Sequence, residues 1–357
     1  MSKKIRGAME TSRQLSSRKW LWRGLALAAA LLAAAFAYIA WPRPVPQPPP
    51  VPNPNGYDDF LHAAESLLGD ASLDIQKASA DELRQLSKLN RKPLELVRTG
   101  LTRECGVAIV SYSQERDAVR LEQINKMRQL GRLLFAEGRL AELEGRPADA
   151  ARGYVDAVRF SHEMARGGLI IDLLVGIAME GTAIEALHSL RNELGGAQCE
   201  KAITELEAIE ADREPLERVF QRDHDSSEAR IAELGWTAFK ARSTLRRMAR
   251  IAEEPAHFAE QRRQAAARLL LIELAIRRYT TEHGRLPERL NELVPGQISA
   301  IPNDPFIEEG FRYQRTEDGY RLYSIGPNRK DDGGTGPDEL SARGRSEGDF
   351  FLGPARP

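Results

Sequence analysis

Residues 167–190 read Gly-Gly-Leu-Ile-Ile-Asp-Leu-Leu-Val-Gly-Ile-Ala-Met-Glu-Gly-Thr-Ala-Ile-Glu-Ala-Leu-His-Ser-Leu, the most hydrophobic segment that follows residue 42. Such a segment either crosses a membrane or lies in the core of a helical domain. A membrane span would place Asp172, Glu180 and Glu185 in lipid, where each charge costs about 2.5 kcal/mol or more. The segment therefore predicts a central core helix against which other helices pack.

Two carboxyl groups inside this predicted helix, on Asp172 and Glu180, are candidates for chemistry. A separation of eight residues corresponds to about 80° around a helix, so the two side chains do not share one face closely. Each acid can pair with an arginine of a neighbouring helix, which is how buried acids are usually accommodated. The alternative is a buried acid–base pair, the carboxylate site of an extracytoplasmic hydrolase.

The segments that precede this helix also follow the helical period. Residues 57–68 and 79–89 predict two short amphipathic helices. Residues 123–145 and 148–166 predict a longer pair, separated by the Gly-Arg-Pro turn at 145–147. Small and aromatic residues in this pair match the spacing of one tetratricopeptide repeat: Gly138, Ala150, Tyr154 and Ala157. Because a single copy is visible, we interpret the pair as a repeat-like helical hairpin.

Downstream of the core helix, residues 231–252 and 265–279 carry apolar side chains at alternating steps of three and four, as in a coiled-coil seam. Pro255 lies between the two seams and disfavours a continuous helix, because proline lacks the backbone N–H. The pattern predicts a long antiparallel helical hairpin that turns near Pro255. Upstream of it, Asp223-His224-Asp225 is either a set of metal ligands or a solvated break between helices, and sequence neighbours rarely converge on one ligand.

The sequence changes character near its C-terminal end. Gly284 predicts the end of a helix, and residues 288–294 predict a short helical segment. Residues 311–316 and 320–325 alternate as strands do and flank Asp318-Gly319, a strong signal for a hairpin turn.

These patterns predict a mainly α fold. An α-helical domain covers residues 56–257, and residues 258–352 form a long helix followed by a small α+β module with a β-hairpin. Residues 353–357 form a tail.

The N-terminal region predicts a membrane anchor. Residues 1–23 hold seven Lys or Arg and a single Glu, and residues 24–41 carry no charge. The apolar stretch 20–41 approaches the roughly 20 residues that span a bilayer, and aromatic residues lie at both of its ends. By the positive-inside rule the basic segment 1–19 is cytoplasmic, so the protein is a single-pass protein of the inner membrane with an extracytoplasmic bulk. The alternative is a signal peptide cleaved near residues 35–37, which releases a secreted protein.

A proline-rich segment follows the predicted anchor. Residues 42–54 contain eight prolines, and the segment 42–55 predicts a stalk. In the polyproline II conformation, at about 3.1 Å per residue, it forms a semi-rigid spacer of about 40 Å between membrane and domain.

The composition excludes several classes of function. The chain has 51 Lys and Arg against 52 Asp and Glu, with a net charge of −1, which argues against nucleic-acid binding because that requires a basic surface. Cys105 and Cys199 exclude a disulfide-dense scaffold and a multi-cysteine zinc site, and they are a candidate disulfide in an oxidising compartment. No nucleophile elbow, phosphate loop or dinucleotide fingerprint is present, so we predict that the protein is not an enzyme.

Several spaced residues near the C-terminal end suggest a family. They are Tyr279-x-x-x-His283-Gly284-x-x-Pro287-x-x-Leu290-x-x-Leu293, Asp304-Pro305-Phe306, Phe311-x-Tyr313 and Tyr323-Ser324-Ile325-Gly326-Pro327-Asn328. In this order they resemble the C-terminal domain of the major pseudopilin of type II secretion, over roughly residues 260–352. The chain departs from that family at Arg23-Gly24-Leu25-Ala26-Leu27, which lacks the processing site and the glutamate used in filament assembly. The resemblance therefore implies a docking or structural module, without filament assembly.

The helical region has a second resemblance. With Gly56-Tyr57-Asp58-Asp59 and Gly167-Gly168-Leu169-Ile170 it is similar to large uncharacterised envelope proteins of planctomycete-type bacteria. That similarity implies an envelope context and no particular activity.

Pseudopilins bind calcium in the loop after the Ser-x-Gly-Pro-Asp motif, so the resemblance implies a structural Ca²⁺ site here. Calcium takes six to eight oxygen ligands from carboxylates and carbonyls in a flexible loop. The alternative is a solvated tail, since Asp and Gly are ordinary residues of turns. The candidate ligands are Asn328, Asp331, Asp332, Asp338 and Asp349, with Asn328 in place of the family's aspartate.

The function predicted from the sequence is binding or scaffolding in the bacterial cell envelope. Its partners are the lipid bilayer, through the N-terminal helix, and envelope proteins such as those of a type II secretion or pilus-like machine. The alternative is the extracytoplasmic hydrolase with a carboxylate site in the helical domain.

Overall fold

The structure is a computed structural model. It describes residues 27–31, 50–69, 73–109, 114–233, 238–307, 309–334 and 348–352. The helices are α1 (Gly56–Glu65), α2 (Ala80–Leu89), α3 (Arg91–Gly100), α4 (Gln114–Leu143), α5 (Pro147–Glu163), α6 (Ile170–Leu190), α7 (Gly196–Ala211), α8 (Leu216–Glu233) and α9 (Ala238–His283). Two 3₁₀ turns, Arg191–Glu193 and Leu290–Leu293, and the strands β1 (Arg312–Thr316) and β2 (Gly319–Tyr323) complete the order. The mainly α fold with a C-terminal β-hairpin is confirmed.

The predicted N-terminal anchor is described in small part. Residues 27–31 are helical, while the rest of 20–41, the basic segment 1–19, the stalk before residue 50 and the tail 353–357 lie outside the described residues. Among the helices that the structure does describe, none combines the length and the apolar character that crossing a bilayer requires.

The end of the predicted stalk is held against the helical domain. Asn55 is buried and is the N-cap of α1, because its side chain accepts a hydrogen bond from the N–H of Tyr57. Its amide also exchanges two hydrogen bonds with the backbone of Gly106, each 2.9 Å long. The chain therefore enters the domain at a fixed point.

Helix α6 is the central helix that residues 167–190 predict. It packs against α5 and α9, and its C-terminal half buries Ile184, Leu187 and Leu190 completely or almost so. Burial of these side chains, at about 1.5–3 kcal/mol each, makes α6 a core element.

Helices α4 and α5 form the predicted hairpin. Gly145 between them has φ of +69°, which favours glycine, and Pro147 occupies the first turn of α5. The two helices approach closely where Gly138 faces α5: a Cβ there would lie 2.6 Å from ring carbons of Tyr154. A Cβ on Gly153 would likewise lie 2.9 Å from Gly138.

Helix α9 overturns one prediction. It runs unbroken from Ala238 to His283 with Pro255 inside, so the antiparallel hairpin predicted to turn near Pro255 is wrong. Pro255 is exposed, and Ile251, whose carbonyl loses its N–H partner, is itself 60% exposed, so this missing hydrogen bond lies at the surface of the helix and not in the core. The seam side chains predicted at 231–248 lie outside the described residues.

Helix α8 also corrects a prediction. It continues from Leu216 to Glu233, so Asp223-His224-Asp225 is helical and does not form a break.

One hydrophobic core spans the predicted domain boundary. The boundary between residues 257 and 258 falls inside α9, which packs against α6, α7 and α8. Leu130 and Ile184 from the first part lie in the same buried cluster as Leu270 and Leu322 from the second. The two predicted parts therefore share a single core.

The β-hairpin is docked onto that core. Its strands pair antiparallel from Arg312 with Tyr323 to Thr316 with Gly319, as predicted. The hydroxyl of Tyr320 donates a hydrogen bond to Glu273 of α9, whose carboxylate also lies 3.0 Å from Nε of Arg191.

The segment between α9 and the β-hairpin is also held by specific contacts. The helix predicted at 288–294 is a single 3₁₀ turn, Leu290–Leu293. Asp304 is fully buried, and its carboxylate accepts hydrogen bonds of 3.0 Å from the N–H groups of Phe306 and Ile325. It thereby joins the Asp-Pro-Phe segment to the end of β2.

Candidate functional site

Asp172 begins the candidate site, at the start of α6. It is fully buried, and its Oδ2 accepts a hydrogen bond of 2.8 Å from the N–H of Leu169. Its Oδ1 lies 2.5 Å from Nη2 of Arg120 on α4. Both contacts are needed because a buried carboxylate without a partner costs several kcal/mol.

Tyr57 extends this ion pair toward α1. Nη1 of Arg120 donates a hydrogen bond of 3.2 Å to the Tyr57 hydroxyl, and the guanidinium carbon lies 6.0 Å from the ring centre. Burial raises the pKa of the Tyr57 hydroxyl, and the charge of Asp172 raises it further against the opposing effect of Arg120. Tyr57 is therefore a neutral hydroxyl that helps to hold Arg120.

A cleft lies beside the cluster of Tyr57, Arg120 and Asp172. Its volume is about 740 Å³, and small-molecule sites usually have volumes of about 300–1,000 Å³. Its walls come from α1, residues 107–109, the first turns of α4 and α6, and α8. The lining is mostly apolar and has three large exposed side chains: Val119 (55%), Leu121 (56%) and Ile171 (44%). An apolar cavity with a few converging polar groups is the usual form of a binding site.

Asp223 of α8 lines the same cleft. Burial raises the pKa of Asp223, and the negative charges of Glu253 and Asp172 add to this effect. The backbone N–H of Ile170 near its carboxylate acts in the opposite direction and lowers the pKa of Asp223. Within the described residues no lysine or arginine forms a salt bridge with Asp223.

Glu180, the other acid of α6, belongs to a separate cluster. Its Oε1 lies 2.5 Å from Nη2 of Arg213 and 3.2 Å from Nη1 of Arg263. Arg263 is almost fully buried and also contacts Glu210 at 2.6 Å and Glu260 at 2.8 Å. Burial favours the neutral form of Glu210, but Arg263 and Arg213 outweigh it and lower its pKa to about 2. The cluster joins α6, α7 and α9.

These contacts show how the protein accommodates Asp172 and Glu180 in its core. Each carboxylate is paired with arginines of neighbouring segments, as the structural interpretation predicted. Neither carboxylate is therefore a free general acid or base in this structure.

His162 and Cys105 form a third buried group around Glu163. Nδ1 of His162 lies 3.3 Å from Oε1 of Glu163, and Nε2 has no hydrogen-bond partner among the described residues. Burial raises the pKa of the Cys105 thiol, and the carboxylate of Glu163 raises it further. The thiolate that nucleophilic catalysis requires is thereby disfavoured.

The candidate disulfide is not formed. Cys105 and Cys199 are both buried, free thiols. The thiol of Cys105 faces the backbone oxygens of Gly100 and Arg103, whereas Cys199 lies in α7 near Arg277 and Arg278. Each thiol is enclosed by its own neighbours, which explains why they do not pair.

The candidate calcium ligands gather in one loop, but their oxygens have other partners. Asp331 accepts hydrogen bonds from Tyr323 and Gly333 and pairs with Arg312 at 3.0 Å. The two oxygens of buried Asp349 accept from the N–H groups of Asp332 at 3.2 Å and Gly334 at 2.7 Å.

The remaining candidates complete the loop. Asn328 donates to Asp332 at 2.8 Å, and Asp338 lies outside the described residues. In the part of the chain that the structure describes, no three His, Cys, Asp or Glu side chains are placed to hold a metal ion. Calcium binding by this loop stays a prediction.

Sequence reasoning missed most of the cleft. The sequence indicates Tyr57 only as part of a family resemblance and Asp223 only as a possible metal ligand. No sequence pattern indicates a role for Arg120. These residues lie on α1, α8 and α4, so packing alone brings them together. The one available signal was Asp172, a charge in an apolar helix that requires a cationic partner.

Comparison of the chain with protein-family models, with curated proteins and with solved structures gives no match.

Proposed function

We propose that this protein is a binding protein of the bacterial envelope, anchored by residues 20–41 in the inner membrane, with its helical domain outside the cytoplasm. The observation that carries the binding role is the cleft beside Tyr57, Arg120 and Asp172. The charge bias of residues 1–23 supports the orientation, and the apolar stretch supports the anchor.

The exposed apolar lining supports a binding role. Val119, Leu121 and Ile171 are each more than two-fifths exposed around one cavity. Covering apolar surface stabilises a complex by about 25 cal/mol for each Å², and contiguous exposed apolar patches commonly mark interaction sites. The buried ion pair beside them holds α4 and α6 in place, so the cleft is a formed cavity.

Association with a type II secretion or pilus-like machine is part of the same proposal. It rests on the C-terminal resemblance. Two residues of that resemblance have structural roles in this protein. The carboxylate of Asp304 accepts hydrogen bonds from two separate segments, and the hydroxyl of Tyr313 donates to the carbonyl of Pro287 at 2.7 Å. The residue pattern thus supports a small folded module, and the surface of this module is the proposed docking unit.

Site-specific photo-crosslinking of the full-length protein in its native membrane tests the binding role. A photoreactive amino acid replaces Leu121 in the cleft or, as a control, Leu89 at the end of α2, which is equally exposed at 57%. We expect a discrete adduct from position 121 and none from position 89. The same product pattern from both positions would overturn the role of the cleft.

Membrane extraction tests the anchor and the orientation. After a carbonate wash the full-length protein should remain with the membranes, and protease added to spheroplasts should remove a C-terminal tag. Release into the wash, or a protected tag, would contradict the proposed topology.

A further inference from the structure

The charges around the cleft limit the ligands that it can bind. Among the described residues that line the cleft, Arg120 is the one cation, and it is neutralised by Asp172 at 2.5 Å and bonded to Tyr57. A ligand carboxylate or phosphate would have to compete with a fully buried aspartate for this guanidinium. The cleft is therefore poorly matched to fatty acids and other anionic amphiphiles.

Two acids, in contrast, are available to a ligand. Asp223 is half-buried at the cleft and forms no salt bridge within the described residues. Asp58 lines the same cleft, is exposed, and has a single long contact of 3.5 Å with the side chain of Asn55. Among the described residues that line the cleft, the charges without an ionic partner are therefore negative.

The surroundings of Asp223 also favour a cation beside its carboxylate. Burial deprives its carboxylate of water, and Glu253 and Asp172 act on it with charges of the same sign, against a smaller opposite effect of His224. A positively charged group beside Asp223 would offset both effects, because a charge-assisted hydrogen bond is roughly twice as strong as a neutral one.

The rest of the cleft fits an apolar body. Leu61, Val107, Ile124 and Leu169 line it together with the exposed Leu121 and Ile171. Its volume of about 740 Å³ matches that of small-molecule sites.

We propose that the cleft binds a small amphiphilic cation, whose alkyl or aryl part lies against Leu121, Ile124 and Ile171 and whose ammonium or guanidinium group pairs with Asp223. The ligand class rests on the proposed function, in that the cleft must be a ligand site. The hydroxyls of Ser226 and Ser227, one turn along α8, supply further acceptors for the cation's N–H groups.

Calorimetric titration of the full-length protein in lipid nanodiscs tests this, with empty nanodiscs as the blank. The probes are octylammonium, octanol and octanoate, which share the apolar chain and differ in charge. We expect octylammonium to bind saturably, at least about tenfold more tightly than octanol, with octanoate weakest.

Two matched variants assign the effect to one carboxylate. Asp223→Asn keeps an oxygen for the N–H of Ile170 and removes the charge, so octylammonium affinity should fall by about tenfold while octanol affinity stays unchanged. Asp225→Asn, on the same helix, bonded to Gln221 and outside the cleft lining, should change neither.

The outcomes separate the ligand class from the binding role. Equal affinity for octylammonium and octanol, with both weakened by Leu121→Gln, would overturn the proposal that the ligand is a cation. The cleft would remain a binding site. Tighter binding of octanoate would do the same. If none of the three probes binds, both the cationic ligand class and the binding role of the cleft are overturned.

Discussion

Several buried charges among the described residues lie in networks of opposite charges. Arg263 contacts Glu180, Glu210 and Glu260 although its side chain is 1% exposed. Such a network is weak as a source of net stability, because the desolvation of each ion offsets the attraction. Loss of one member has a large effect, because the remaining charges stay buried without compensation.

The variant Glu180→Gln should therefore lower the free energy of unfolding by about 3–5 kcal/mol, since it leaves Arg213 and Arg263 undercompensated in the core. Urea unfolding followed by circular dichroism measures this. Glu95→Gln is the control, because Glu95 pairs with Arg91 at 3.0 Å with both side chains more than 60% exposed. It should change stability by less than about 1 kcal/mol, and equal losses in the two variants would contradict the argument.

The same network predicts acid sensitivity. The pKa of Glu210 is lowered to about 2 in the folded protein, against about 4.3 for glutamate in an unfolded chain. At pH values between these two, the unfolded state binds a proton that the folded state does not, so stability falls as the pH falls. The contribution of Glu210 is complete above about pH 4.3 and is lost toward pH 2.

Unfolding free energies measured at several pH values between about 5 and 2 test this prediction. In Glu210→Gln the decline over this range should be shallower than in the wild type, although the variant is less stable at neutral pH. An unchanged slope would show that other carboxylates account for the acid sensitivity.

At the scale of the elements, the helices α4 and α5 pack closely because glycine occupies the crossing. Gly138 leaves room for the ring of Tyr154, which is fully buried, and the hydroxyl of Tyr154 donates to Glu142 at 2.6 Å. Gly153 allows the backbone of α5 to approach Gly138. Glycine has a low helix propensity, so these two positions destabilise the helices locally, but they allow the helices to pack closely.

The variant Gly138→Ala should reduce the free energy of unfolding by about 1–3 kcal/mol, because its Cβ would overlap the Tyr154 ring in a packed core. Gly181→Ala on α6 is the matched control. A Cβ at that helical glycine meets nothing within 4 Å, so alanine should stabilise the helix by about 0.5–1 kcal/mol. Thermal unfolding of both variants measures the difference, and a stabilised Gly138→Ala would contradict the close crossing.

The elements that the sequence predicted well are those with local signals. The apolar run of α6, the Gly-Arg-Pro turn before α5 and the Asp-Gly turn between the strands each depend on nearby residues. Pro255 is an equally strong local signal, but the helix break that it predicted is absent. The cost of the one missing hydrogen bond is reduced because it lies at the exposed Ile251. Tertiary packing of the rest of α9 decided the outcome.

At the scale of the whole molecule, the predicted boundary at residue 257 does not separate two cores. The part of α9 after that boundary buries Leu270, Ile272 and Leu274 completely, in one cluster with residues of α4, α5 and α6. The β-hairpin adds Leu322 to this cluster. The described chain is therefore expected to unfold as one cooperative unit.

A chain that ends at residue 257 should consequently fail to fold. It would expose the apolar face that α9 covers, so we expect insolubility or digestion by trypsin within minutes. A chain that ends at residue 352 is the control and should resist trypsin as the full-length protein does. Resistance of the shorter chain would show that residues 56–257 form a domain of their own.

The cleft could not be predicted from the sequence for a physical reason. Tyr57, Arg120, Asp172 and Asp223 lie on four helices, and no spacing along the chain relates them. A buried aspartate indicates that some cation lies nearby, and 51 lysines and arginines are candidates. Only the packing of α4 and α8 against α6 selects among them.

The attachment of Asn55 gives the N-terminal connection a mechanical role. Any pull on the chain before residue 55 reaches the folded protein at the two hydrogen bonds between Asn55 and Gly106. Tyr57 and Val107, which are one or two residues away, belong to the cleft wall. A load on the proposed tether would therefore act on residues of the cleft wall that also belong to the core, so occupancy of the cleft and tension on the tether would be mechanically coupled.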